Sequence, residues 1–240
     1  MKNLQKKLGP WYAFRARQYT IIQIWRNRSV KILVLADQES KSLYEFYTPE
    51  KIKDIDLIIS CGDLRPEYLS FFATFSRAPV YYIRGNHDCQ YMHCPPEGCI
   101  CIEDDIVTFK GIRIMGLGGS MEYIPDAPNQ FTERKMEQRI RRMWWKLKKN
   151  KGFDILVTHA PAYELNDLQD LPHKGFSCFK SLMDKYSPKY FLHGHVHANY
   201  GNVFKRKDVY GNTTVINAYE YVIIDYPETD QCAMDRVMEQ

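Results

Sequence analysis

Apolar residues along this chain gather in short runs separated by longer stretches of mixed character. The runs in KILVLAD, IDLIISCGD, VYYIRGNHD, DILVTHA and YFLHGH have strand length and are rich in Val, Ile, Leu and Tyr. Between them the period changes. Residues 132–149, TERKMEQRIRRMWWKLKK, place Met136, Ile140, Met143, Trp144 and Leu147 at helical spacing. This pattern predicts one helix, capped by Thr132, with its apolar stripe on a sheet and its basic residues on a solvated face. Strands alternating with helices predict an α/β architecture.

The informative feature is what ends the runs. They lead in turn to Asp37, to Asp63, to Asn86-His87-Asp88, to His159 and to His195. In sheets of parallel strands these C-terminal ends share an edge, and ligand sites form in the crevice beyond it. A random scatter of Asp, Asn and His would not keep that phase. In FLHGHVHANY, an extended backbone would put His193, His195 and His197 on one face. Carboxylates and imidazoles without thiolates suit a divalent ion such as Mn, Fe or Zn. The donors exceed the needs of one ion and fit two ions roughly 3.5–4 Å apart, clamping an in-line displacement at phosphorus. Gly62, Gly85 and Gly194 adjoin the donors, where tight turns and close backbone approach are needed.

Taken together, GD at 62–63, GNHD at 85–88, His159 in VTHAP and GHVH at 194–197 resemble the calcineurin-like metallophosphoesterase superfamily, in its small bacterial-type members. The resemblance implies a two-sheet sandwich flanked by helices, a four-layer αββα arrangement, with a dinuclear centre at the strand ends. It makes Asp63 the bridging ligand, places Asn86, His159 and His195 on the second metal, and gives Asp37 and His197 to the first. His87 would protonate the leaving group or stabilise charge on phosphoryl oxygens, with Asp88 orienting its ring. A metal-bridging hydroxide would be the nucleophile, so no phosphoenzyme is expected. His193 falls outside the motif and is assigned a structural role.

One position departs from the pattern. The family's Asp-x-His motif reads Asp37-Gln38-Glu39 here, and Glu39 is expected to bind the first metal through oxygen, which would favour diesters over monoesters. The implied activity is hydrolysis of a phosphodiester or phosphomonoester, with two divalent ions, Mn first and Fe or Zn as alternatives. The rivals are a non-catalytic scaffold on the same fold and a nuclease. His87 favours the enzyme, because a scaffold has no use for a proton donor beside an intact ligand set.

Composition adds boundaries. The 240 residues are 45% hydrophobic and 26% charged, without repeats or low-complexity tracts. This suits one metallophosphoesterase domain over 31–225, an N-terminal extension over 1–30 and a tail over 226–240. Before Asp37 the eight basic residues Lys2, Lys6, Lys7, Arg15, Arg17, Arg26, Arg28 and Lys31 occur with no acidic one. Aromatics interleave with them, a composition suited to packing on the fold or on a second copy in a homo-oligomer. An anionic membrane surface and nucleic acid are alternatives. No apolar run reaches the roughly 18–20 residues that cross a bilayer. Seven cysteines, an odd number, suggest free thiols in the cytoplasm. Cys89, His93, Cys94, Cys99 and Cys101 lack the hook spacing of a structural zinc site and predict an ordered loop beside the centre. GLGGS at 116–120 is expected to form a rim loop. DLPHKGF at 170–176 either brings His173 to the substrate or simply precedes a helix.

Overall fold

The computed structural model describes residues 29–198 and 204–227. The basic, aromatic N-terminal segment up to residue 28 and the tail from residue 228 lie outside them.

Two sheets stack face to face. The first contains β1 (Val30–Ala36), β2 (Leu57–Ser60), β3 (Val80–Tyr82), β4 (Ile100–Cys101) and β13 (Glu220–Tyr226), in the order β13-β1-β2-β3-β4. The second contains β5 (Asp105–Phe109), β6 (Ile112–Leu117), β9 (Ile155–Thr158), β10 (Tyr190–His193), β11 (Lys207–Tyr210) and β12 (Thr213–Asn217), in the order β11-β12-β10-β9-β6-β5. A two-stranded ribbon, β7 (Ser120–Met121) with β8 (Gln130–Phe131), stands beside them. Neighbours β1, β2 and β3 are parallel, as are β9 and β10, so the runs that deliver the candidate donors end together within each sheet.

Alternation along the strands builds the layers. Val30, Ile32, Val34 and Ala36 of β1 join Ile155 and Val157 of β9 in the core between the sheets. Leu33 and Leu35 face the opposite way, onto Tyr68, Leu69 and Phe72 of helix α1 (Pro66–Phe75). On the far side, Leu156 and Phe191 pack under α2 (Glu133–Arg142), α3 (Trp144–Lys149) and α4 (Ser177–Tyr186) through Met136, Leu147 and Phe179. Strands covered on both faces need apolar residues at consecutive positions, which explains the uninterrupted runs. Each fully buried aliphatic side chain contributes about 1.5–3 kcal/mol, so the central strands form a rigid platform for their own ends. The expected four-layer αββα sandwich is the observed fold.

The helix expected over 132–149 is two helices. Thr132 caps the first as anticipated, its side chain accepting from the Lys135 amide at 3.2 Å. The helix breaks at Met143, and the shift in phase leaves Trp144 49% exposed while Met136, Met143 and Leu147 stay buried. Nor is the basic face uniformly solvated. Arg139 is buried, stacked 4.2 Å over Phe131 and bonded to Glu103, Asp104 and the Gly118 carbonyl.

Candidate metal centre

Three of the candidate residues leave their strands through left-handed backbone: Asp37 (φ 62°), Asp63 (φ 57°) and His195 (φ 69°). Such a step costs roughly 1–2 kcal/mol for a residue with a Cβ and persists where surrounding contacts fix it. Those contacts are present. Both carboxylate oxygens of Asp37 accept from the His195 amide, at 3.0 and 2.8 Å. Asp63 Oδ1 accepts from the His87 amide at 2.8 Å. The glycines allow this closeness: a Cβ on Gly85 would lie 2.0 Å from Asp63 Oδ1, and one on Gly194 would lie 2.5 Å from Asp37 Oδ2.

The three histidines of FLHGHVHANY do not share a face. The inward phase of β9 continues from Ile155 and Val157 to His159, whereas in β10 Leu192 faces the inter-sheet core and Phe191 the helices. His193 is buried, its Nδ1 3.0 Å from the Gly194 carbonyl oxygen and its Nε2 3.4 Å from Asn166 Nδ2. Burial pushes its pKa down to about 4, so the ring is neutral. The left-handed turn at His195 ends the alternation and aims that ring at His159.

Four acceptor atoms converge there. His159 Nε2 lies 2.9 Å from Asn86 Oδ1, 3.0 Å from His195 Nδ1 and 3.2 Å from Asp63 Oδ2. The other ring nitrogens face backbone carbonyls, His159 Nδ1 that of Cys61 at 2.9 Å and His195 Nε2 that of Pro172 at 2.7 Å. Donation to those carbonyls turns the remaining lone pairs of both rings, with the carboxylate and amide oxygens, toward one point. Metal-binding imidazoles are oriented in the same way by their outer hydrogen bonds. Without a cation the arrangement is repulsive, and the titration of the groups reflects it. Burial opposes charge on His159, but Asp63 overrides it and lifts the pKa to about 9. Burial likewise works against ionised Asp63, yet His159 and the His87 amide hold it at about 2. Burial and the His159 charge keep His195 well below its ordinary value. The protein alone thus gathers a single proton where four acceptors meet, and the donor set fits a divalent ion.

A second pair adjoins this group. His197 Nε2 lies 3.6 Å from the buried carboxylate of Asp37, and its ring leans on Tyr219 with centroids 5.1 Å apart. The His195 amide, bonded to Asp37, joins the two groups.

Glu39 does not join that pair as expected. Its two oxygens accept from Arg65 Nε and Nη2, each at 2.6 Å, which commits both of them to the guanidinium. Nor does Asp88 orient the His87 ring. Asp88 Oδ2 accepts from the Asp63 and Gly85 amides at 2.7 Å each, tying together the turns after β2 and β3. Burial and the Asp63 charge raise its pKa to about 7. His87 stands exposed at the rim, on a backbone anchored to Asp63. His173 lies close, in a short 3-10 turn, its ring 5.1 Å from that of His195.

Sequence reasoning passed over Tyr123. Asn86 Nδ2 donates to its hydroxyl at 3.3 Å, which leaves Asn86 Oδ1 turned toward His159. The buried Gln130 side chain holds the Tyr123 loop by accepting from the amides of Tyr123 and Ile124 at 3.1 and 3.0 Å. The only available signal was a Pro-flanked loop, YIPDAPNQF, between two apolar runs. Among the described residues, the one group of three or more His, Cys, Asp or Glu side chains with converging donors is Asp63, His159 and His195. The Cys89–Cys101 segment forms no such group there, and packs against α1 through the Glu97 amide on Ser70.

A sandwich of parallel strand ends bearing this donor set defines the metallophosphoesterase class. The chain belongs to the calcineurin-like phosphoesterase family, which its residues 31–199 match, and members of that family are metal-dependent phosphoesterases. A UPF0046 protein of Caenorhabditis elegans is 26% identical over 197 residues, covering 70% of this chain and 63% of that protein. A protein of Methanocaldococcus jannaschii is 25% identical over 186 residues, covering 68% and 76%. The crystal structure of TT1561 of Thermus thermophilus shares the fold, with a TM-score of 0.58 at 15% identity over 82% of this chain and 94% of that one. Among the described residues no helix is long and apolar enough to cross a membrane.

Proposed function

We propose that the chain hydrolyses a phosphodiester or phosphomonoester at a centre of two divalent ions. Asp63, Asn86, His159 and His195 would hold one ion, and Asp37 and His197, together with Asp63, would hold the other. The observation that carries this assignment is the convergence of four acceptor atoms, His159 Nε2 and three others within 3.2 Å of it, with no hydrogen-bond donor but a titratable proton among them. Divalent ions held there would supply Lewis-acid stabilisation of charge at phosphorus and activation of water.

The protein's own groups do the remaining work. Asp63 and Asp37 are fixed by backbone amides before any ligand arrives, so little reorganisation accompanies binding. His87, exposed next to Asn86, is placed to give a proton to the leaving oxygen. Three imidazoles, two carboxylates and an amide, without thiolate, favour Mn, with Fe or Zn as alternatives. Pairing with Arg65 neutralises Glu39, so the charge-based preference for diesters loses its support and both ester classes stand. The described cysteines are all free, which supports a cytoplasmic location.

The test is chelation of purified protein followed by addition of Mn, with metal content and hydrolysis of chromogenic monoesters and diesters measured together. Activity should disappear with the metal and return with it. Full-rate hydrolysis by metal-free protein would overturn the proposal. Bound metal without turnover of any ester would favour the scaffold.

A further inference from the structure

The helical layer over the second sheet carries a patch that the metal centre does not use. Residues 141–151 read RRMWWKLKKNK, with Arg141, Arg142, Lys146, Lys148, Lys149 and Lys151 and no acidic residue among them. In their midst Trp144 and Trp145 are 49% and 68% exposed, their rings edge to face at 4.4 Å. The Lys148 ammonium lies 5.2 and 5.6 Å from the two ring centres. Glu137 and Asp105 partner Arg141 and Lys146, and the balance stays positive. Beside Trp144 a groove of about 280 Å³ runs between α2 and α3 on one side and α4 on the other, lined by the aliphatic Ile140, Leu147 and Leu182, by the cationic Arg141 and Lys185, and by Glu137, which pairs with Arg141.

Position matters as much as composition. After α3 the chain enters β9 at Ile155, and His159 follows the other end of that strand. The helix α3 thus runs along the outer face of the second sheet, from Lys146, which bonds the Asp104 carbonyl and Asp105 at the donor end, to Asn150 and Lys151, whose carbonyls accept from Arg113 near the other end.

We propose that this surface docks the protein on an anionic phospholipid membrane. Indoles partition to the headgroup level of a bilayer, where one end of the ring is wet and the other apolar. Lysines and arginines around them gain from the negative potential of an anionic leaflet. The groove, with three aliphatic side chains and two cations against one carboxylate, suits an amphiphile carrying an anionic head and a hydrocarbon tail. A single-stranded nucleic acid needs free aromatic faces on which successive bases stack. Here the indoles contact each other, and Lys148 covers both. Stable peripheral attachment takes two signals, and the first 31 residues repeat the same basic and aromatic composition.

The experiment is co-sedimentation of the full chain with vesicles of phosphatidylcholine, alone or mixed with phosphatidylserine, at low and high salt. Binding should require phosphatidylserine and weaken with salt. Trp144→Ala with Trp145→Ala, and separately Lys148→Glu with Lys149→Glu, should each lower it roughly tenfold or more while metal content and thermal midpoint stay unchanged. If the tryptophan variant fails to fold, the charge variant decides alone. Failure of the wild type to bind phosphatidylserine vesicles would overturn the proposal, as would undiminished binding by a folded variant. So would variants that lose RNA binding or self-association but keep vesicle binding.

Discussion

Glu39 and Arg65 close a two-bond ion pair, with both contacts at 2.6 Å, between the loops that leave β1 and β2. Each residue lies two positions past an aspartate in left-handed conformation, Asp37 or Asp63, so the pair spans the same two loops as those carboxylates. A bidentate guanidinium occupies both oxygens of its partner. Glu39→Gln should therefore leave the number of bound metal ions unchanged, as measured on protein loaded with Mn and dialysed. Loss of one ion would return Glu39 to the ligand set. The Arg65 side chain is 61% exposed, so the variant should also keep the thermal midpoint of the wild type.

Asp63 and His87 should separate metal binding from turnover. Asp63 Oδ2 belongs to the converging donors, whereas the His87 ring stands at the rim and touches the centre only through its backbone. Asp63→Ala is expected to lose metal and activity together. His87→Ala should keep its metal while turnover falls about 100–10,000-fold, the usual contribution of a positioned proton donor. Equal metal loss in the two variants would contradict the roles assigned to them.

Tyr123 acts on the centre through Asn86. Removing its hydroxyl frees the Asn86 amide to rotate and present nitrogen in place of oxygen. Outer hydrogen bonds of this kind affect metal affinity or activity by about 10–100-fold, so Tyr123→Phe should weaken Mn binding to a comparable degree in a direct titration. The half-exposed ring itself is retained, so stability should hold. Unchanged affinity and unchanged hydrolysis would leave Tyr123 as packing alone.

What could be read from the sequence, and what could not, divides along a physical line. Strands buried on both faces must be apolar throughout, so the runs ending before Asp37, Asp63, Asn86, His159 and His195 are legible, and with them the α/β class and the strand-end donors; the four layers follow only from the resemblance of the motifs. Features set by one backbone angle or by contact between distant loops are not legible. His195 looked like a continuation of His193 because alternation assumes an extended chain, and the left-handed turn that re-aims it leaves no mark on hydrophobicity. Glu39 stands where the family's motif has a ligand, and nothing nearby in sequence marks its actual partner, Arg65, which is 26 positions away. Arg139 looked solvated because Glu103, which neutralises it at 2.9 Å, lies on another element. The break at Met143 was hidden because Trp144 fits an apolar stripe by composition even though its ring faces water.

Protonation of His193 should contribute, with that of His195, to the acid sensitivity of the metal-free protein. The ring is fully buried behind β10, and burial lowers its pKa from the ordinary 6.5 to about 4. The unfolded chain therefore binds a proton that the folded chain refuses over that interval, and stability rises with pH wherever the unfolded state holds more protons. Above pH 6.5 both states are neutral at this position and nothing is lost. As the pH falls from 6.5 toward 4 the folded state should lose up to about 3 kcal/mol through this group. Urea unfolding in the presence of a chelator, repeated across this window, measures the slope without interference from metal release. His193→Phe, beside Phe191 on the same face, should reduce the slope between pH 6.5 and 4, leaving the share that His195 contributes, even if it lowers stability at neutral pH. An unchanged slope in the variant would mean that another group, not His193, sets the acid limit.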